Sequence, residues 1–293
     1  MPGAGSSDLI YLAFRQWLNR NSRVLVLDPM YGEYVHVLEK VIDCQVDRMV
    51  LPRRDRYVVD LEELQARAVL GYDLIVLVNP NNPTGQHIAG DKLKEVLSCV
   101  PGSTRVWVDE AYIEYVGPDE SLERFAAASE NAIVCKTMSK VYALSGMRVA
   151  YLCGSHRQLS DLVPITPPWA VSLPAQVAAV KALGDSAYYQ DRYRETRKLR
   201  QQLTEGLRGI GIHEIVPGQA NFVMFHLEPD QPPAAAVLSE ARRRGVFLRD
   251  ASLMGSEMGP RALRLTVKDE EANKRILTTL ESVLSARTSQ LAS

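Results

Sequence analysis

Cysteine is scarce in this chain. Its four residues, Cys44, Cys99, Cys135 and Cys153, stand far apart with no CxxC pair. That excludes a zinc-ribbon spacing and a disulfide framework, and the four read as small core residues of a reducing compartment. Net charge is nearly absent too: 34 Lys and Arg against 35 Asp and Glu leave −1 at pH 7. Such a balance offers no surface for a polyanion, so nucleic acid is not an expected partner. The tight basic run Arg242-Arg243-Arg244 reads as the solvated end of a helix, where cations suit the negative dipole end. No apolar run approaches the roughly 20 residues of a membrane span, and no repeat or low-complexity stretch is present. The opening Met1-Pro2-Gly3-Ala4-Gly5 lacks signal-peptide character, so a cytoplasmic protein away from membranes is expected.

A content of 46% hydrophobic residues over 293 positions supports a large domain and a smaller one. Short β-branched runs alternate with amphipathic stretches. Strands are expected at Val24–Leu27, Gln45–Leu51, Leu74–Val78, Arg105–Val108, Ala132–Cys135 and Val149–Leu152; helices are expected at Gly32–Val41, Leu61–Ala68 behind an Asp60 cap, and Ile88–Leu97. Strand, loop, helix, repeated, predicts an α/β fold with a mostly parallel sheet and helices on both faces. Sites in such sheets lie beyond the carboxyl ends of the strands. After Pro164-Ile165-Thr166-Pro167-Pro168 the character changes. Helices Pro174–Leu183 and Ala187–Leu207 lead into an α+β unit: strand Ala220–Leu227, helix Ala234–Arg244, strands Val246–Arg249 and Leu263–Val267, and helix Glu270–Leu284. The expected division is a large domain over 1–185 and a small α+β domain over 186–293.

Chemistry concentrates at the predicted strand ends. Thr137-Met138-Ser139-Lys140 has Arg148 eight residues on; upstream lie Asp109-Glu110-Ala111-Tyr112 and the turn Asn79 to Gly85. Most lysines are surface charges, and an Asn-Pro turn or a strand-end acid is ordinary when taken singly. Together they form a set: an amine able to bond an aldehyde, a carboxylate to keep a ring nitrogen protonated, and hydroxyls with a guanidinium to hold a phosphate. Those are the requirements of pyridoxal 5′-phosphate (PLP). Asn82 and Tyr112 are placed to reach the cofactor's ring oxygen, and Tyr31, after Asp28-Pro29, to stack on its ring. Gly3-Ala4-Gly5-Ser6-Ser7 before an apolar stretch would present free N–H groups to the phosphate. In the small domain Arg249 and Arg264 fall on predicted strands, where an unpaired guanidinium is costly; they suggest an anionic ligand, with an ion pair to Asp250 or Glu257 as the competing reading. Asn221 is a third candidate for that cavity.

With these residues in hand, the chain resembles the class I/II aminotransferases of PLP fold type I, closest to the histidinol-phosphate aminotransferase and threonine-phosphate decarboxylase branches. The resemblance runs from about Gly3 to about Leu284. It rests on the order PNNPTG, DEAY, TxSK with Arg148, ANF, LRD and LRLT. It implies that Lys140 bonds the cofactor and moves the α-proton, that Asp109 holds the pyridinium, and that Tyr112 and Asn82 hold the ring oxygen. It implies further that Ser6, Ser7, Thr137, Ser139 and Arg148 bind the phosphate, that Tyr31 covers the ring, and that Arg264, with Arg249, binds the substrate anion. A homodimer is implied as well. Relatives carry a further segment before the glycine loop, with a tyrosine that reaches the neighbouring subunit's cofactor. The expectation is that this segment is missing here, is supplied by another chain or domain, or leaves the enzyme impaired.

Three functions are therefore weighed. Transamination of a small amino acid or amine bearing a phosphate or phosphonate is favoured. Decarboxylation of a phosphorylated amino acid is the alternative, because Pro168-Trp169-Ala170-Val171-Ser172 and Val267-Lys268-Asp269 resemble the decarboxylase branch. A non-catalytic PLP-fold binding module is the third, opposed by the complete Lys, Asp and Tyr set.

Overall fold

The computed structural model of the chain describes residues 1–285. Strands β1 (Pro2–Gly3), β2 (Arg23–Asp28), β3 (Gln45–Val50), β4 (Leu74–Val78), β5 (Arg105–Asp109), β6 (Ala132–Thr137) and β7 (Ala150–Cys153) build one sheet in the order β1-β7-β6-β5-β4-β2-β3. The five strands from β3 to β6 in that order are parallel, whereas β7 runs antiparallel to both β6 and β1. The sequence pattern carries no sign of that reversal. The link from Thr137 to Ala150 is a loop and a 3₁₀ turn at Ser145–Met147, with no helix to carry a parallel crossover, so the chain turns back.

The helices are α1 (Ser6–Trp17), α2 (Gly32–His36), α3 (Leu61–Ala68), α4 (Gly90–Ser98), α5 (Glu123–Ala128), α6 (His156–Ser160), α7 (Leu173–Gly184), α8 (Ser186–Gly209), α9 (Ala234–Arg243) and α10 (Glu270–Ser285). The stretch expected as one helix from Gly32 to Val41 is α2 followed by a π-helical turn at Val37–Ile42. Alternation within the central strands fills both faces of the sheet. Leu25, Leu27, Ile75, Leu77, Val106 and Val108 pack with α3, α4 and α5; Val24, Val26, Val76, Val78 and Trp107 pack with α1, α2 and the π turn. Burial on two sides explains why β4 reads Leu-Ile-Val-Leu-Val without a polar residue. Asp60 caps α3 as its position suggests, its Oδ1 accepting from the N–H groups of Glu62 at 2.9 Å and Glu63 at 3.1 Å. Asp60→Ala will lower stability by about 1 kcal/mol, read as a shifted urea midpoint with unchanged slope.

The C-terminal sheet is antiparallel, β10-β11-β9-β8, from β8 (Ile215–Val216), β9 (Phe222–His226), β10 (Arg249–Asp250) and β11 (Ala262–Thr266). The strand expected at Val246–Arg249 is only the pair Arg249–Asp250. Leu203 and Leu207 of α8 join Val223, Phe225, Leu263 and Leu280 in this unit's core. Tyr189 and Tyr193, earlier on α8, pack against Tyr112, Tyr115 and Tyr142 of the large unit, so α8 bridges the two. At a second contact between the units, the carbonyl of Gly85, in the Asn-Pro loop, accepts from Gln219 N–H at 2.7 Å. A Cβ on Gly85 would lie 2.9 Å from Gly218 Cα. All four cysteines are free, but Cys99 is exposed at the end of α4, which corrects its expected place in the core.

Candidate active site

A cavity of about 280 Å³ lies beyond the carboxyl ends of β4, β5 and β6. Ser6, Ser7, Tyr31, Asn82, Asp109, Tyr112, Thr137, Ser139, Lys140, Arg148, Arg249 and Arg264 all line it. The structure thus brings together every residue singled out from the sequence except Asn221. That residue immediately precedes β9, where its amide faces the Tyr115 hydroxyl, and it does not line the cavity. A wider cleft of about 900 Å³ adjoins, sharing Tyr31, Arg249 and Met254.

One end of the cavity suits a dianion. No side chain caps α1, so its first N–H groups remain available at the positive end of a twelve-residue dipole. Thr137 Oγ1 donates to Ser139 Oγ at 3.0 Å and accepts from Ser139 N–H, which draws both hydroxyls to the same side. Gly5 has φ +96°, and a Cβ there would stand 2.3 Å from Arg148 Nη2. Only glycine lets the guanidinium close over the loop.

At the other end, Asp109 is buried at the end of β5. Its Oδ1 accepts from Ala111 N–H at 2.9 Å and its Oδ2 from the Tyr34 hydroxyl at 2.7 Å. Burial pushes its carboxyl up to about 6, while Tyr34, Ala111 and Lys140 act to lower it and Glu33 to raise it. Lys140 stands open to the cavity. Partial desolvation, then Arg264 and Arg148, hold its ammonium below the usual lysine range against the pull of Asp109, which enlarges the fraction present as free amine near neutral pH. Burial pushes Tyr112 up to about 12, with Arg264 opposing, so its phenol is a hydrogen-bond donor at pH 7.

Arg249 and Arg264 face each other in register across β10 and β11. Among the described residues neither has a carboxylate within ion-pairing distance, and Asp250 caps its own turn through Ser252 N–H. The competing reading of an internal salt bridge therefore has no support. Burial lowers the affinity of Arg264 for its proton, and Arg249 adds to the effect. Arg264 stacks 4.8 Å above Phe222, donates to Asn82 Oδ1, and leaves its buried Nε without a partner. With Asn82 Oδ1 so occupied, the amide N–H₂ is the end free for a ligand.

Two residues at this site escape the sequence reading. Phe222 touches both Arg264 and Tyr112, the second edge-on at 5.2 Å; the Ala-Asn-Phe motif contains it, but attention falls on the asparagine. Tyr34 lies one helical turn beyond Tyr31, and that spacing of three is the signal that places both on one face. Trp169 is 92% exposed. It belongs to a separate apolar groove with Met138, Val149 and Leu183, so this decarboxylase-like segment does not reach the cavity.

A parallel sheet with an amine, a buried acid and an anion cradle at its strand ends defines a PLP-dependent transferase of fold type I. The chain belongs to the aminotransferase class I and II family, whose model matches residues 1–280, and PLP is its cofactor. It is 32% identical over 288 residues to the histidinol-phosphate aminotransferase of Methylobacillus flagellatus, covering 98% of this chain and 75% of that protein. The fold is similar to that of histidinol-phosphate aminotransferase from Sinorhizobium meliloti in complex with pyridoxal-5′-phosphate (TM-score 0.86, 23% identity, 97% and 76% of the two chains). It is also similar to that of L-threonine-O-3-phosphate decarboxylase from Porphyromonas gingivalis (TM-score 0.82, 20% identity, 97% and 83%).

Proposed function

We propose that this chain transfers the amino group of a small amino acid or amine carrying a phosphate or phosphonate, as a histidinol-phosphate aminotransferase does. The observation that carries the substrate class is the unpaired arginine couple, Arg249 opposite Arg264, on the wall of the cavity that holds Lys140. Arg264 is desolvated without a protein carboxylate and has the exposed Arg249 beside it, a concentration of positive charge that an anion would complete.

When bound, PLP supplies an electrophilic aldehyde and a ring that withdraws electrons from the substrate α-carbon. The open N-terminus of α1, with Ser6 and Ser7, and the hydroxyls of Thr137 and Ser139 would hold its phosphate under Arg148. Asp109 would keep a proton on the ring nitrogen, since an adjacent carboxylate favours the charged form. Asn82 and Tyr112 would donate to the ring oxygen, and Tyr31 would cover the ring face. Lys140, with a free amine favoured by its neighbours, takes a proton at the substrate α-carbon and returns it. Arg264 and Arg249 fix the substrate anion, and with it the bond presented to Lys140.

Decarboxylation is the second reading. Both arginines could grip a side-chain phosphate and turn the carboxylate toward the reacting position, and the fold likeness to the phosphothreonine enzyme keeps this reading in view. A cytoplasmic homodimer, and the division at residue 185 between α7 and α8, belong to the same proposal; the dimer rests on family resemblance, the cytoplasmic location on the four free cysteines, and the division on α8 joining both cores. Incubation with histidinol phosphate plus 2-oxoglutarate, and separately with phosphothreonine, tests the choice. Glutamate formation is expected. Carbon dioxide release without glutamate would overturn transamination.

A further inference from the structure

We propose that Tyr34, held by Trp107, is a positioning residue that locks the Asp109 carboxylate as a hydrogen-bond acceptor and keeps the proton it shares with the cofactor on the ring nitrogen. This rests on the reading of Asp109 as the partner of that nitrogen.

The geometry gives the contact a fixed polarity. Trp107 Nε1 donates to the Tyr34 hydroxyl at 2.8 Å, and Tyr34 donates to Asp109 Oδ2 at 2.7 Å. An indole N–H can only donate. The Tyr34 oxygen is thereby committed as an acceptor on one side, and its single proton is left for the carboxylate. Were Asp109 protonated on Oδ2, two O–H groups would face each other, or Tyr34 would have to abandon its bond at a buried position. Both rings are fully buried, and burial holds the Tyr34 phenol well above its ordinary range, so it serves as a donor and not as a titrating group. Phe14 packs on Trp107 and Tyr34 at centroid distances of 5.1 and 5.9 Å. Tyr31 meets Tyr34 edge-on at 6.0 Å, so the residue that would cover the ring and the one that orients the acid share a contact.

The need for such a device follows from burial. An acid enclosed at the end of β5 tends to take up a proton, and Asp109 is already pushed up to about 6. The other groups facing it are Glu33 on α2, which favours protonation, and Lys140, which opposes it. Cys135 on β6, Tyr31 and Tyr112 also feel its charge and are themselves raised. The Tyr34 hydroxyl is the largest influence that opposes desolvation.

The test follows the carboxyl carbon of Asp109 by NMR in ¹³C-aspartate-labelled protein without cofactor, across pH 4 to 9, alongside PLP affinity measured by fluorescence. Tyr34→Phe should raise the midpoint by roughly one pH unit, as expected when a hydrogen bond to the charged form is removed, and should weaken PLP binding severalfold. Trp107→Phe should shift the midpoint the same way by less. An unchanged midpoint in either folded variant overturns the proposal, even if melting temperature falls, since a merely structural tyrosine would affect stability alone. Should wild-type protein fail to bind PLP while Tyr34→Phe still moves the midpoint, the relay stands and the cofactor role of Asp109 falls.

Discussion

Alanine in place of Lys140 will abolish amino-group transfer without unfolding the protein. Lys140 lines the cavity and stands open to it, so the substitution removes no core packing. What is lost is the only lysine amine among the residues lining that cavity. Proton transfer by a positioned side chain contributes about 10²- to 10⁴-fold, and loss of the proposed covalent link to the cofactor aldehyde would add to that. The expected result is a fall in kcat of at least about 10³-fold with an unchanged circular dichroism spectrum, read by coupling glutamate formation to a dehydrogenase. Activity within tenfold of wild type would remove Lys140 from the mechanism.

Lys136→Met will strongly destabilise the protein although it lies outside the site. Lys136 is buried on β6, an interior strand of the sheet, among three carboxylates: Glu114 at 2.5 Å, Glu123 at 3.3 Å and Glu110 at 3.6 Å. Burial acts to lower its proton affinity, but Glu114, Glu110 and Glu123 outweigh it and raise it. Burial pushes Glu110 up to about 7, with Lys136, Ser121 and Leu122 opposing. Removing the one cation strands these carboxylates, and breaking a buried pair from one side costs about 3–5 kcal/mol. A carboxyl whose folded pKa is raised binds protons that the unfolded chain does not, so native stability falls as pH rises through that range. Without Lys136 the Glu110 carboxyl rises further. The variant should therefore lose most at pH 8 and recover part of the loss at pH 6. Urea titrations at the two pH values check this, and a loss below about 1 kcal/mol at pH 8 would contradict the buried-network account. Glu110→Gln, whose amide oxygen still accepts from Leu122 N–H while Ser121 Oγ turns to accept from the amide N–H₂, should cost much less.

Much of this architecture is legible in the residues because burial on both faces leaves a plain mark. The runs at Val24–Leu27 and Leu74–Val78 have no solvated side, and the acid or turn that follows each stands at the strand end where ligands gather. The candidate site is legible for the same reason: Asn82, Asp109 and the Thr137–Lys140 segment each follow such a run. What escapes depends on partners far away in the chain. β1 is two residues long and exists only because β7 offers it an edge. Reversal of β7 comes from a connection without a helix, which its composition does not reveal. Arg249 and Arg264 read as two separate strand arginines; that they stand opposite each other is a matter of register. The hydroxyl of Tyr34 meets an acid 75 positions away, and a buried tyrosine on an amphipathic helix looks like packing until the fold closes around it.

Borohydride reduction of the PLP-loaded protein, followed by peptide mapping with mass spectrometry, tests the central assignment most directly. A single pyridoxyl mark on Lys140 is the outcome these residues demand. A mark on another lysine, or protein that takes up PLP and emerges unmarked, would contradict it.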